Sequence, residues 1–501
     1  MIRLHRTKHA LSILLLVAAL EVCFAGVASS QTQLSQTQPG QGGAYQEAPS
    51  EVMAPYESGT ASTRPGSQSP FLGSVPSGKA TPEVLQLSLK DAIERGLKQN
   101  LGLLIGEQGT RSARGQRWTA LSDLLPNVTT RTTETIQQID LAASGISVPG
   151  VPKIVGPFSV FETRAFLSQP VLDFKALETA RAARENVKAA DYSYKDARDL
   201  VVLVVGNAYL LANADAARVD AAQAQVKTAQ SLYQKARDLL KAGLTPGIDQ
   251  LRAQVELQTR QQQLIAVQNE YAKQKLNLAR AIGLPVGQEF VLTDNVPYAP
   301  LESIKLEEAV ARAYSSRSDY QEALARVRVA ERARKAATAE RLPSLAFNAD
   351  YGDIGIAPGV SHGTLTVAGT LKIPVFQGGK VRGDVLQADA ILKQRESELE
   401  DLRARIDYQV RTALMDLRTA AEQVSVAKSS LELANATVTQ AQDRFAAGVV
   451  DNLEVVEAQE SVANANEAYI SSLYAHNVAK VLLARAMGVA QEAVSQFLGS
   501  R

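Results

Sequence analysis

The chain has 501 residues, 45% of them apolar and 21% charged, with 53 basic side chains against 52 acidic ones. That is chain enough for two or three domains, and it excludes a miniprotein, a collagen and a chain disordered throughout. With no basic excess to hold phosphates, the charge balance speaks against nucleic acid as a partner.

At the N-terminus, Arg3, Arg6 and Lys8 precede an apolar run from Ala10 to Leu20 and a small-residue exit at Ala25-Gly26-Val27-Ala28. This reads as a secretory signal peptide over residues 1–28. The run is interrupted by Glu21 and is too short to cross about 30 Å of hydrocarbon as a helix. The single cysteine, Cys23, lies inside the signal, so the mature chain is expected to carry no disulfide. Glu21 and Val22 stand where a lipidation signal has small residues, which argues against a lipid on Cys23. Residues 29–84, rich in Gln, Ser, Pro, Gly and Thr, are expected to form a disordered leader.

From Leu85 the chain is written twice. Leu87-Ser88-Leu89-Lys90-Asp91-Ala92-Ile93 aligns with Ile304-Lys305-Leu306-Glu307-Glu308-Ala309-Val310 at an offset of 217, and the same offset carries Pro126 onto Pro343. Pro170 falls on Pro374 at 204, and Ala242-Gly243 on Ala447-Gly448 at 205, so the first copy holds about 13 extra residues between its prolines. The expected organisation is a first repeat over 85–300, a second over 301–490 and a C-terminal tail over 491–501.

Each repeat opens with a helix and continues into a β-hairpin, 128–168 in the first copy and 344–373 in the second. In Ser344 to Tyr351 and Thr364 to Ile373 larger apolar side chains alternate with small or polar ones, the period of a strand with one apolar and one wet face. The first copy offers Val128 to Leu141 and Phe158 to Ser168, with Phe161, Thr163, Ala165 and Leu167 on one side and Glu162 and Arg164 on the other. A loop containing Pro149, Pro152 and Pro157 is expected to absorb most of the extra residues.

A long helical hairpin follows, over 175–283 and again over 379–488. No Gly or Pro stands between Gly383 and Gly448, and one apolar seam runs every seventh residue from Leu392 through Ile406, Ala413 and Ala420 to Ala441. A second seam keeps step through Val410, Leu417, Val424, Leu431, Val438 and Phe445, which makes a coiled-coil pattern. The first copy repeats it through Val201, Ala222, Ala229 and Ala236, with Asp215 as its one polar break. A helix of this length extends roughly 100 Å. Glycine turns at Ala242-Gly243 and Ala447-Gly448 reverse the chain.

Ten-residue alternating strands suit a transmembrane barrel. Four strands per chain cannot close one, because about eight is the practical minimum and lipid tolerates no open edge. The barrel reading therefore requires an oligomer, of two, three or more chains.

The opening Leu87 to Ile93 with Asn100 after it, the proline-bracketed hairpins, the glycine turns followed by Ala253-Gln254 and Ala458-Gln459, and the duplication together resemble the TolC family of outer-membrane efflux proteins. That resemblance implies an α+β membrane protein: a trimeric, twelve-stranded outer-membrane β-barrel continued by a periplasmic tunnel of coiled-coil helices. It implies a homotrimer in outer-membrane lipid that exports substrates delivered by a periplasmic adaptor and an inner-membrane pump.

Carried residue by residue onto this chain, the family's tunnel tip, where the adaptor docks, falls on Gly243, Leu244 and Thr245 and on Gly448, Val449 and Val450. The acidic constriction above the tip falls on Glu454 and Glu457, with Asp249 as the first-copy counterpart of Glu454. Glu454 and Glu457, three apart, share a helix face, and threefold symmetry would gather six carboxylates into a cation-attracting ring. Acids near a helix N-terminus are also favoured by the helix dipole alone. Phe445 replaces a tyrosine common at the family's turn and Val450 replaces a basic residue, so the closed state is expected to be held differently. Arg252, the counterpart of Glu457, is positioned to pair with an acid on the neighbouring coiled coil.

No nucleophile, phosphate-loop or metal-ligand motif stands out and the four histidines are scattered, so no enzymatic activity, cofactor or metal is expected. Arg326, Arg328, Arg332, Arg334 and Lys335 fall on a helical period with Glu331 and Glu340 and read as a solvated helix face. A structural coiled-coil protein of the envelope would account for the long helices, though not for the alternating hairpins.

Overall fold

The computed structural model describes residues 69–141, 143, 145, 150, 152–294, 298–301 and 304–491, all within one compact unit, Gly66–Arg501. The signal peptide with Cys23, the leader before residue 69, the middle of the first hairpin loop with Pro149, and the tail after residue 491 lie outside the described residues.

Two short helices open the first repeat, α1 (Leu89–Gln99) and α2 (Leu101–Ser122). Ser88 starts α1 with a capping box, its hydroxyl accepting from Asp91 N at 3.1 Å while Asp91 accepts from Ser88 N at 3.4 Å. Asn100, fully buried, ends α1 and caps α2 by accepting from Gly102 N at 2.9 Å. Its amide also donates to Phe71 O at 2.7 Å.

That contact corrects the expectation of a disordered leader up to residue 84. Pro70–Leu72 forms a 3-10 turn, and Phe71 packs so closely on Gly102 that a Cβ there would lie 2.4 Å from the ring. Val75 N donates to Gln99 O at 2.9 Å and Thr81 N to Gln288 Oε1 at 2.8 Å. One well-placed aromatic anchors a segment whose average composition is that of a disordered one.

Strands β2 (Asn127–Asp140) and β3 (Ile154–Leu172) follow, then α3 (Phe174–Lys241) and α4 (Gly247–Ile282). The second repeat carries α5 (Leu306–Ser316), α6 (Ser318–Ala339), β5 (Ser344–Gly355), β6 (Ser361–Lys372), α7 (Lys380–Ala446) and α8 (Asn452–Ala486). Two three-residue strands, β1 (Leu85–Leu87) and β4 (Phe290–Leu292), pair in parallel beside the first helices. The hairpins join edge to edge into one antiparallel sheet of order β2-β3-β5-β6. Strand β3 takes in Pro157, which the sequence assigned to the loop, so the extra residues of the first copy lengthen strands as well as the connection. The Gly156-Pro157 pair falls where the β2–β3 register shifts, the kind of place where a sheet accommodates a proline.

Both coiled-coil seams are buried or half-buried along their length, with Ile406, Val410, Ala420, Val424, Ala441 and Phe445 buried in α7. In α3 the polar break Asp215 is buried and held by Arg218 at 2.7 Å, which in turn reaches Glu467 on α8 at 2.9 Å. By length and composition alone α3 holds a stretch apolar enough to cross a membrane, but half of that stretch is buried in protein. In α3, Val201, Val202, Val205 and Tyr209 build a core with Leu87, Leu89, Leu278, Ile282 and Phe290. The second repeat builds the corresponding core from Ala309, Ala313, Ile406, Val410, Leu483 and Met487.

The arginine stretch of α6 is an ion-pair ladder. Arg328 reaches Glu185 and Arg332 reaches Glu178, both at 3.1 Å, while Arg334 pairs with Asp389 at 2.5 Å, tying α6 to α3 and to α7. Burial alone would push the Glu178 and Glu185 carboxyls up, but hydrogen bonds from Arg181 and Arg332, and from Lys188 and Arg328, hold them below the ordinary value.

Candidate functional site

Helices α3 and α7 end in the same way. Gly243 at φ +75° and Gly448 at φ +73° occupy the left-handed region that favours glycine. In each turn the next two amides fold back on the last turn of the helix: Gly243 N to Leu240 O at 2.9 Å and Leu244 N to Leu239 O at 3.0 Å, then Gly448 N to Phe445 O at 3.1 Å and Val449 N to Arg444 O at 3.0 Å. These paired bonds make a Schellman motif, whose residue after the glycine ordinarily packs back on the helix. Here it does not: Leu244 is 71% exposed and Val449 67%. Thr245 is half-buried with an unpartnered hydroxyl among the described residues, and Val450 packs against the core beneath.

That core is Leu232, Ala236, Ala253, Ala441, Phe445, Val455 and Ala458, drawn from all four long helices. Phe445, which stands where the resemblance has a tyrosine beside the expected gate, belongs to it; it is buried, with the Lys235 ammonium 5.8 Å from its ring centroid. At this position the ring packs among side chains of all four long helices.

The acidic positions divide. Asp249 is buried, with Arg252 3.7 Å away on its own helix. Glu454 pairs with Arg444 at 2.7 Å, and Glu457 is exposed and in no ion pair among the described residues. Arg252 also reaches Asp451, the N-cap of α8, at 3.5 Å, and so joins the first helical hairpin to the second. A second tie lies beside it, where the fully buried Asn452 donates from Nδ2 to Asp249 O at 3.0 Å. Arg444, Asp451 and Asn452 escaped the sequence reading. Asp451-Asn452 ahead of an apolar helical run is a helix-start signal and could have drawn attention to them.

At the other end of the helices the sheet has two unlike faces. Register places Val128, Leu167, Ala349 and Val367 side by side, with Thr130, Ala165, Tyr351 and Leu365 in the next row of the same face. Tyr351, Leu365, Val367 and Val128 are all exposed. The opposite face carries Arg131, Glu162, Arg164, Asp350 and a run of threonines. Among the described residues, strands β2 and β6 are unpaired along their outer edges.

Comparison with known proteins agrees with this architecture. The sequence pattern of the family described as Outer membrane efflux protein matches residues 92–284 and 309–489, one stretch in each repeat. The probable efflux pump outer membrane protein TtgC of Pseudomonas putida is 21% identical over 418 residues, spanning 80% of this chain and 83% of that protein. The antibiotic efflux pump outer membrane protein ArpC of the same species gives the same figures, 21% over 418 residues. Among solved structures, the Campylobacter jejuni CmeC outer membrane channel superposes with a TM-score of 0.70 at 18% identity, over 88% of this chain and 97% of that one. The open state of the Neisseria gonorrhoeae MtrE outer membrane channel gives 0.68 at 17% identity, over 80% and 89%. The duplicated sequence pattern carries the conclusion and the shared fold accords with it: the chain belongs to the outer membrane efflux protein family and is an outer-membrane efflux protein.

Proposed function

We propose that three copies of the chain close their four-stranded sheets into one twelve-stranded barrel, with the Val128–Leu365 face toward lipid and the Arg131–Arg164 face toward the lumen. The observation that carries this reading is the sheet itself, with rows of exposed apolar side chains on the Val128–Leu365 face, the charged Arg131, Glu162, Arg164 and Asp350 on the other, and outer edges unpaired among the described residues. In lipid such edges must find partners, and neighbouring copies of β2 and β6 supply them. The helical hairpins continue the barrel as a periplasmic tunnel. At its tip, the exposed Leu244 and Val449 dock a periplasmic adaptor, which links the channel to an inner-membrane pump.

The tip is also the gate. Per chain, Glu457 supplies the unpaired acid of the constriction and Glu454 supplies one tempered by Arg444. The buried Asp249 acts from behind, through Arg252.

The test is planar-bilayer conductance of the purified protein beside Glu454→Gln plus Glu457→Gln. Small cation-selective currents that lose selectivity in the variant support both channel and gate. Unchanged selectivity removes the acidic gate, and failure of a folded oligomer to insert removes the channel.

A further inference from the structure

The inner face of the sheet contains an arrangement that the channel reading does not require. Arg131 and Arg164 are direct cross-strand partners, and the same row continues through Gly352 to Thr364 on the two remaining strands. Two guanidiniums placed opposite each other repel, and a sheet under no other demand would avoid the pair.

The surrounding residues treat the two arginines differently. Arg164 lies across the strands, donating from Nε to Glu162 Oε1 at 2.7 Å, from Nη1 to Asp350, and from Nη2 to Thr364 Oγ1 at 2.6 Å. Gly352 makes room for it, since a Cβ there would come 2.6 Å from Arg164 Cγ. Both carboxylates of the face are thus committed to Arg164. Arg131 is exposed and forms no ion pair among the described residues; its guanidinium lies 5.5 Å from the centroid of the Phe166 ring. A cation over an aromatic face is oriented without being neutralised.

We propose that Arg131 is an anion-recognition point in the barrel, a specificity-determining residue for solutes bearing carboxylate, sulfonate or phosphate groups. The proposal rests on the trimeric barrel argued above, in which threefold symmetry sets three Arg131 side chains at one depth of the lumen. Rings of arginine or lysine favour anions in pores. The channel then holds two filters of opposite sign in series, an acidic one at the tip and a basic one in the barrel.

The test is block of single-channel current by tripolyphosphate added to the barrel side, in wild type, Arg131→Gln and Arg131→Lys, each first shown to migrate as the same oligomer. Wild type is expected to be blocked, with block weakening as salt rises. Arg131→Gln should raise the half-blocking concentration by roughly tenfold, and Arg131→Lys by far less. Equal block in wild type and Arg131→Gln, or no block of a conducting wild type, overturns the anion site and leaves the channel standing. Absence of any wild-type conductance overturns the channel and the site with it.

Discussion

Asp199 shows how a single buried side chain sets a pH response. It lies inside the bundle with Gln491 Nε2 at 3.5 Å, and burial pushes its carboxyl up to about 6, the nearby Arg485 guanidinium opposing and Asp196 adding to the rise. The folded state therefore holds this proton where the unfolded chain has released it. Its contribution favours folding at low pH and is lost as pH rises from about 4 through about 6. A carboxyl held near 6 in place of near 4 corresponds to a penalty of about 3 kcal/mol on the ionised protein, as an upper figure. Asp199→Asn is expected to raise the thermal unfolding midpoint of the helical part at pH 7.5, with the gain shrinking toward pH 5. Circular dichroism melts at the two pH values check this, and a gain that grew on acidification would contradict the assignment. At the tip, a pair of substitutions separates shape from contact. Gly243→Ala forces a Cβ into the left-handed region and should cost about 1–2 kcal/mol of stability. Leu244→Asp combined with Val449→Asp, at exposed positions, should leave melting unchanged while pull-down of the adaptor is lost.

Among the elements, the helices were the most legible. Heptad seams and glycine turns placed α3, α4, α7 and α8 to within a residue or two, because an apolar residue at every third or fourth place leaves a helix little choice of buried face. Strand ends were less so: β3 runs on through Pro157, since a register shift in its partner accommodates a proline that local preference assigns to a loop. Phe71 was missed for a related reason, its burial depending on Gly102, about thirty residues on, and on no local period. Of the two glycine turns, the positions were readable and the side-chain pairings beside them were not. Arg252 reaches Asp451 only because the two hairpins stand side by side there, a fact of tertiary packing. The alanine-rich seam allows that approach. Ala236 and Ala253 are wholly buried and face Ala441 and Ala458 within one cluster. Ala236→Leu should overpack the crossing and destabilise by about 1–3 kcal/mol. Chemical denaturation measures this, and a variant as stable as wild type would mean that the helices stand further apart than they do here.

On the scale of the whole molecule, the duplication gives each chain two helical hairpins that meet beside the glycine turns, and the gate proposed above works by parting them. Apolar packing around Phe445 supplies the bulk of the contact but little direction. The directional ties are few: Arg252 to Asp451 at 3.5 Å, between half-exposed side chains, and Asn452 to Asp249 O at 3.0 Å, buried. An exposed ion pair is worth under about 1 kcal/mol and a buried neutral hydrogen bond about 1 kcal/mol. Together these two ties add no more than about 2 kcal/mol per chain to the apolar contact, an amount that a docking partner can offset from its own binding energy. Removing both in Arg252→Ala plus Asn452→Ala should shift the closed-to-open equilibrium by about tenfold or more per chain and raise the resting conductance accordingly. The single variants should each give a smaller rise, with Asn452→Ala the larger because its hydrogen bond is shielded from water. If Arg252→Ala and the double variant both conduct like wild type, the tip is closed by apolar packing alone, and opening then means sliding the Phe445 cluster.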